Sequence, residues 1–225
     1  MALIPAYNEG ERIIPVIQEA KKHLTVIVVD DGSTDQTGEF AKQAGAEVLT
    51  QVPNQGKGNA LKRGFSHAKS EGYDGVLTLD ADGQHDPTEI TKFLSKWKET
   101  HAELIIGARD FSEMPPIRRL SNSFARRSFS WAMGREIRDN QSGYRLITNP
   151  IIDAMLASSE TGFEFEVEMI AVCVEQDMKL DWVPIRTIYG DETSHISPLA
   201  HTLHFLRVVK STRARMQAHR RRQRA

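Results

Sequence analysis

The sequence has a single cysteine, Cys173, in 225 residues, so no disulfide can form within the chain. A lone thiol in an apolar, helix-like stretch reads as a small buried side chain, as in proteins of a reducing compartment. The chain also lacks any run near the roughly 18 uninterrupted apolar residues of a membrane-spanning helix. No charged leader stands before the first apolar stretch, because Met1 runs directly into Ala2-Leu3-Ile4-Pro5, which reads as a core strand. The location these absences predict is cytoplasmic, either free or peripheral on the cytosolic face of a membrane. Aromatic residues make up only 7% of the chain, and none interleaves the basic C-terminal run. That argues against a stacking platform for nucleic acid, and none is expected as a partner. A Walker A loop is missing too, since in Gln55-Gly56-Lys57-Gly58 the lysine is followed by glycine where that motif needs Ser or Thr.

What is present is an ordinary globular composition, 40% apolar and 26% charged, in a length that suits one domain with a full core. The net charge of -1 conceals an asymmetry. Residues 207–225 carry eight basic side chains and no acid, leaving 21 basic and 30 acidic residues in the preceding 206. An acidic body with a basic end predicts an anionic partner for that end.

Short β-branched runs at 25–29, 46–52, 76–79 and 104–106 alternate with helical patterns at 13–23, 37–44, 59–70 and 88–100. Asp86-Pro87-Thr88-Glu89 reads as a capping box opening the last of these. Strand–helix alternation predicts an α/β fold with a mostly parallel central sheet and helices on both faces. The second half is less regular: a basic helix after Pro116, strands at 142–148 and 180–185, a buried helix at 165–176, and a helix from Pro198 onward. The expected organisation is one domain over 1–197 and an amphipathic basic helix or tail over 198–225.

In parallel sheets ligands bind beyond the carboxyl ends of the strands. Polar clusters stand at four consecutive strand ends: Tyr7-Asn8-Glu9, Asp30-Asp31-Gly32-Ser33, Asn54-Gln55-Gly56-Lys57-Gly58 and Asp80-Ala81-Asp82. Together they predict one shared site. Asp80 and Asp82, two apart at a strand end, point to the same side, with Gln84 close enough to join from the turn. Hard oxygen ligands of this kind suit Mg²⁺ or Mn²⁺; an acidic turn capping the next helix is the plainer reading. His85 is either a ligand or a turn residue. The glycine turn around Lys57 suits a phosphate, without being specific for one. Arg118, Arg119, Arg126 and Arg127 form a basic group whose forks match phosphate oxygens, unless they are only a solvated helix face.

In the same order these segments, with Ser142-Gly143-Tyr144-Arg145, resemble family 2 inverting glycosyltransferases, over roughly residues 2–197. The similarity is greatest to the branch of dolichyl-phosphate and bacterial polyprenyl-phosphate sugar transferases. The resemblance implies a GT-A fold and transfer of a hexose from a nucleotide-diphosphate sugar, carrying guanine or uracil, to a polyprenyl phosphate. It implies that Pro5, Tyr7, Glu9, Val28 and Asp30 hold the nucleoside, with Ala81 touching the donor through its backbone. Asp80, Asp82 and Gln84 would serve the metal and diphosphate, Arg109 would face the phosphates, and Asp82 and Arg109 would be catalytic. Arg119 and Ser123 would receive the acceptor phosphate, and Glu168 matches a family acid of unassigned role. Where the family often has Ser-Lys, this chain has Ser194-His195. Leu199, Leu203, Leu206 and Val209 recur at helical spacing before the basic run, so the C-terminal helix could lie on an anionic membrane or pack on the domain. A soluble sugar or glycerate acceptor, and a nucleotide-sugar-binding protein without turnover, remain as alternatives. A nucleotidyltransferase would need a glycine-rich, lysine-containing N-terminal loop that is not there.

Overall fold

The computed structural model describes residues 1–114, 116–162, 164–186, 188 and 198–224. Four strands, β1 (Ala2–Ala6), β2 (Val26–Asp30), β3 (Glu47–Thr50) and β4 (Gly75–Thr78), run parallel. With β5 (Leu104–Arg109), β6 (Arg145–Thr148) and β7 (Leu180–Ile185) they form one seven-stranded sheet in the order β3-β2-β1-β4-β6-β5-β7. The strand β6 is antiparallel to both β4 and β5, while β7 returns parallel to β5. The mostly parallel sheet is as the alternation of elements predicts, with a single reversed strand, β6, fifth in the order.

Successive strand residues face opposite sides, and the strands are apolar on both. Leu3, Ile27 and Val29 face a core built with α3 (Lys57–Ser70), α6 (Asn149–Ala157) and α7 (Glu164–Glu175). Ile4, Val26 and Val28 face a second core with α1 (Ile13–Ala20), α2 (Thr37–Gln43) and α4 (Ile90–Thr100). In α1 the buried positions are Ile13, Val16, Ile17 and Ala20, a one-sided helical stripe. Gly64 lets α3 lie directly on β1, because a Cβ there would stand 2.3 Å from Leu3 Cδ1. These close contacts fix where the N-terminus of α3 emerges at the carboxyl edge of the sheet.

Asp86 caps the turn before α4 by accepting from Thr88 N at 3.0 Å. Glu89 accepts from Arg186 N at 3.1 Å and Lys92 Nζ at 2.6 Å, tying the helix to the chain beyond β7. Cys173 is buried in α7, and burial pushes its thiol up to about 12, consistent with an inert core residue.

The basic C-terminal helix α8 (Pro198–Arg224) packs on α5 (Pro116–Met133) and α7. Phe205 and Val209 meet Ala125 and Ala132 of α5, and Met216 enters the main core. Arg215 pairs with Glu168 (2.6 Å) and Glu175 (2.6 Å) of α7. Its described apolar face is therefore largely spent on the domain, although Leu206, Arg207, Lys210, Arg221 and Arg222 stay exposed. The side chains of Leu199 and Leu203 lie outside the described residues. No helix among the described residues is long and apolar enough to cross a membrane. If α8 is part of the folded unit, Met216→Ala should cost about 2–5 kcal/mol. The melting midpoint should then fall by roughly 2–4 °C for each kcal/mol; an unchanged midpoint would mean the helix is not docked.

Candidate functional site

The carboxyl ends of β1, β2 and β4 meet the N-terminus of α3 around an open cavity of about 380 Å³. Pro5, Tyr7, Glu9, Asp80, Ala81 and Asp82 lie in its wall, as the sequence predicts for a shared site. They are joined there by Asp31, Asn54, Gly56 and Lys57. Tyr7 is part of the cavity wall and remains exposed. The loop carrying Tyr7 and Glu9 is stitched to the loop after β2. Asn8 Oδ1 accepts from Thr34 N at 2.8 Å, and Thr37 Oγ1 accepts from Glu9 N and Gly10 N at 2.9 Å each.

Asp31, rather than Asp30, reaches the cavity. Side chains alternate at the strand end, so Asp30 turns to the opposite side, accepts from Ser33 N at 3.1 Å and lies against Gly38 of α2. Asp31 is buried and accepts from Gln55 N (2.8 Å), Gly56 N (2.7 Å) and the Gln51 side chain. One carboxylate thus shapes the whole turn that starts α3. Gly56 has φ of +88°, a conformation side chains rarely adopt, and this places Lys57 as the first residue of α3.

Lys57 Nζ donates to Asp80 Oδ1 at 2.6 Å and stands 2.9 Å from Glu166 Oε1 of α7. Burial would raise the Asp80 pKa, but the charge of Lys57 foremost, with that of Arg109, outweighs it and holds the carboxyl well below its usual range. Burial likewise opposes the Lys57 charge, and Asp80 and Glu166 more than restore it. Both groups stay ionised across the neutral range. His85 is buried, its Nδ1 accepts from Asp80 N at 3.1 Å, and its ring lies 5.0 Å from that of Tyr144. Burial lowers its pKa, so it is a neutral turn residue with Nδ1 already committed. Asp82 Oδ1 accepts from Gln84 N at 2.9 Å, closing the turn.

Arg109, at the end of β5, forms a two-pronged pair with buried Asp139 through Nε (2.7 Å) and Nη2 (3.0 Å). Asp139 also accepts from Gln141 N and Ser142 N, at 3.0 and 3.2 Å. Arg145, fully buried, donates to the carbonyls of Ser142 (2.7 Å) and Glu166. The Ser142-Gly143-Tyr144-Arg145 motif is thus a brace between β5 and α7. Gly143 faces the ionic group directly: a Cβ there would lie 3.0 Å from each of Asp80 Oδ2, Glu166 Oε1 and Lys57 Nζ.

Other expected positions fall elsewhere. Val28 is fully buried in the core and Asp30 is turned away, so neither is in the cavity wall. Gln84 is outside the wall too; its carbonyl accepts from Ile188 N at 3.0 Å. Arg119 is exposed and Ser123 half-buried, one turn apart on α5. Glu168 sits with Arg215, whereas Glu166, two residues earlier, meets Lys57. Arg126 stacks on Phe111 at 5.2 Å, with Arg109 on the same ring at 6.0 Å. Ser194-His195 and the Arg118 side chain lie outside the described residues.

Residues 1–160 match the profile of Glycosyl transferase family 2. The chain is 36% identical over 189 residues to Glycosyltransferase AglJ of Haloferax volcanii, covering 81% of this chain and 60% of that protein. It is 30% identical over 203 residues to the undecaprenyl-phosphate mannosyltransferase of Micrococcus luteus, covering 82% of each. Among solved structures, glucosyl-3-phosphoglycerate synthase from Mycobacterium tuberculosis, in complex with Mn²⁺, uridine diphosphate and phosphoglyceric acid, has the same fold. Its TM-score is 0.70 at 20% identity, over 96% of this chain and 77% of that one.

The pinning of the α3 turn has a direct test. In Asp31→Ala, hydrogen exchange at Gln55 and Gly56 should accelerate about tenfold or more, the loss of charge-assisted bonds worth about 1.5–3 kcal/mol. Amides within β2 should keep their protection. Unchanged exchange at the turn would show that Asp31 does not hold it.

Proposed function

Because the chain belongs to glycosyl transferase family 2, we propose that this cavity binds a nucleotide-diphosphate hexose. In this reading the hexose passes, with inversion, to a polyprenyl phosphate at the cytosolic face of a membrane. The observation that carries the donor half is the convergence of Asp80, Asp82, Lys57 and the Gly56 turn on one cavity. Tyr7 offers a face for the base, and Glu9 and Asn54 lie beside it for ribose or base hydrogen bonds. Lys57 and the first amides of α3 supply positive charge where a diphosphate would lie.

The residues fit a divalent ion. Asp80 and Asp82 line the cavity together with Glu9 and Asp31. That donor set suits Mg²⁺ or Mn²⁺ held by Asp80 and Asp82 and completed by phosphate oxygens. When bound, such an ion offsets the charge developing on the leaving diphosphate. The chain's own groups do the rest. Arg109, held by Asp139, adds a fixed positive charge whose influence reaches Asp80. The loop over 139–145 keeps that arginine and α7 in register.

An acceptor phosphate needs no general base, because with a second pKa of about 6 it is largely a dianion at neutral pH. Arg119 and Ser123 share a face of α5, as residues four apart do on a helix. On the adjoining face Leu120, Phe124 and Trp131 are exposed, and α5 carries no acidic residue. Apolar side chains beside arginines favour a lipid-linked acceptor over a soluble one. They also move the proposed membrane contact toward α5, with the exposed arginines of α8 as support.

Two variants test the two halves. Asp82→Asn should lower hexose transfer from UDP- or GDP-hexose to a short-chain polyprenyl phosphate by about a hundredfold or more. Undiminished transfer by that variant in EDTA would remove the metal-linked donor site. Arg119→Ala should raise the acceptor KM about tenfold, the loss of a single charge-assisted contact, and leave the donor KM unchanged. An equal effect on both constants would take Arg119 out of acceptor binding.

A further inference from the structure

Lys57 is shared between two carboxylates that come from different elements, Asp80 after β4 and Glu166 on α7. Its side chain is nearly half exposed to the cavity, so the pair is not sealed in the core. The arrangement is also closely packed: a Cβ at Gly143 would stand 3.0 Å from each of the three charged atoms, which would have to shift by a few tenths of an ångström to admit it. Asp80 has its second oxygen 3.6 Å from His85 Nδ1, so the ammonium on Oδ1 is its closest charged partner.

We propose that Lys57 is a resident cation that shields Asp80 in the empty protein, so that a divalent ion is admitted only together with a nucleoside diphosphate. This rests on the donor-site reading and adds an order of binding to it. A divalent ion arriving alone at Asp80 meets the lysine charge within a few ångströms. At the effective dielectric of a partly exposed site, that repulsion weakens binding by about tenfold or more. A diphosphate changes the balance, because it brings anionic oxygens to the first turn of α3, where Lys57 is anchored. The lysine stem has four rotatable bonds, so its ammonium can turn from Asp80 to a phosphate oxygen without moving the helix. Glu166 keeps a hold on it during that exchange.

The test is Mn²⁺ binding followed by electron paramagnetic resonance on the full chain, without nucleotide and with UDP or GDP, corrected for Mn²⁺ held by nucleotide in solution. Wild-type protein should bind Mn²⁺ weakly alone and about tenfold or more tightly with one of the nucleotides. Lys57→Met, and Lys57→Gln as its check, should bind Mn²⁺ alone about tenfold more tightly than wild type. Adding Asp80→Asn to Lys57→Met should abolish that gain. Folded lysine variants, judged by circular dichroism, whose nucleotide-free affinity is unchanged or weaker would overturn the proposal. So would wild-type protein that binds Mn²⁺ equally well with and without nucleotide, a result that needs no variant. Wild-type protein that binds Mn²⁺ in neither condition would instead remove the metal-linked donor site, and this inference with it.

Discussion

The ammonium of Lys57, placed between Asp80 and Glu166, is the contact on which the geometry of the cavity turns. It joins the first residue of α3 to the end of β4 and to α7, elements that lie far apart in sequence. Removing both carboxylates would leave a partly buried charge without a partner, which is far costlier than the net value of an intact pair. The neighbouring parts are arranged around it. Gly143 makes room, Arg145 and Asp139 brace the loop that carries Gly143, and Asp31 fixes the turn from which Lys57 emerges. These contacts keep several like and unlike charges close together in a water-facing cleft.

In the proposed reading this cleft receives an anionic ligand with a cation of its own. The carboxylates alone would repel a diphosphate, and the lysine, arginine and helix terminus alone would not hold a metal. Asp80, Asp82 and Lys57 line one rim, and in the proposed reading they complement a metal–diphosphate unit. The parallel strands β1, β2 and β4 bring their carboxyl ends to that rim, and the reversed β6 carries the bracing loop to it.

Much of this was legible in the sequence. The short β-branched run over 25–29 and the segment over 180–185 are strands β2 and β7 within a residue. The four polar clusters at strand ends do gather on one cavity. The misses have physical causes. Helix α6 is nine residues long and starts directly at the end of β6, so the Asn149-Pro150 pair that opens it leaves no loop between the two elements. In Asp30-Asp31 the choice of inward residue depends on the exact point where the strand ends. The same phase problem applies to Glu166 and Glu168, which lie on different sides of α7. Asp139 as the partner of Arg109 is a contact across thirty residues, invisible to local pattern. The apolar spacing of the C-terminal helix suits a membrane surface or a protein core equally, and only packing shows Phe205, Val209 and Met216 turned inward.

The most direct measurement is anomalous diffraction from crystals grown with Mn²⁺ and UDP or GDP. The account predicts one manganese peak within coordination distance of the Asp80 and Asp82 carboxylates, with the diphosphate between that ion and the N-terminus of α3. A nucleotide bound outside the cavity, or a manganese peak remote from both aspartates, would contradict it.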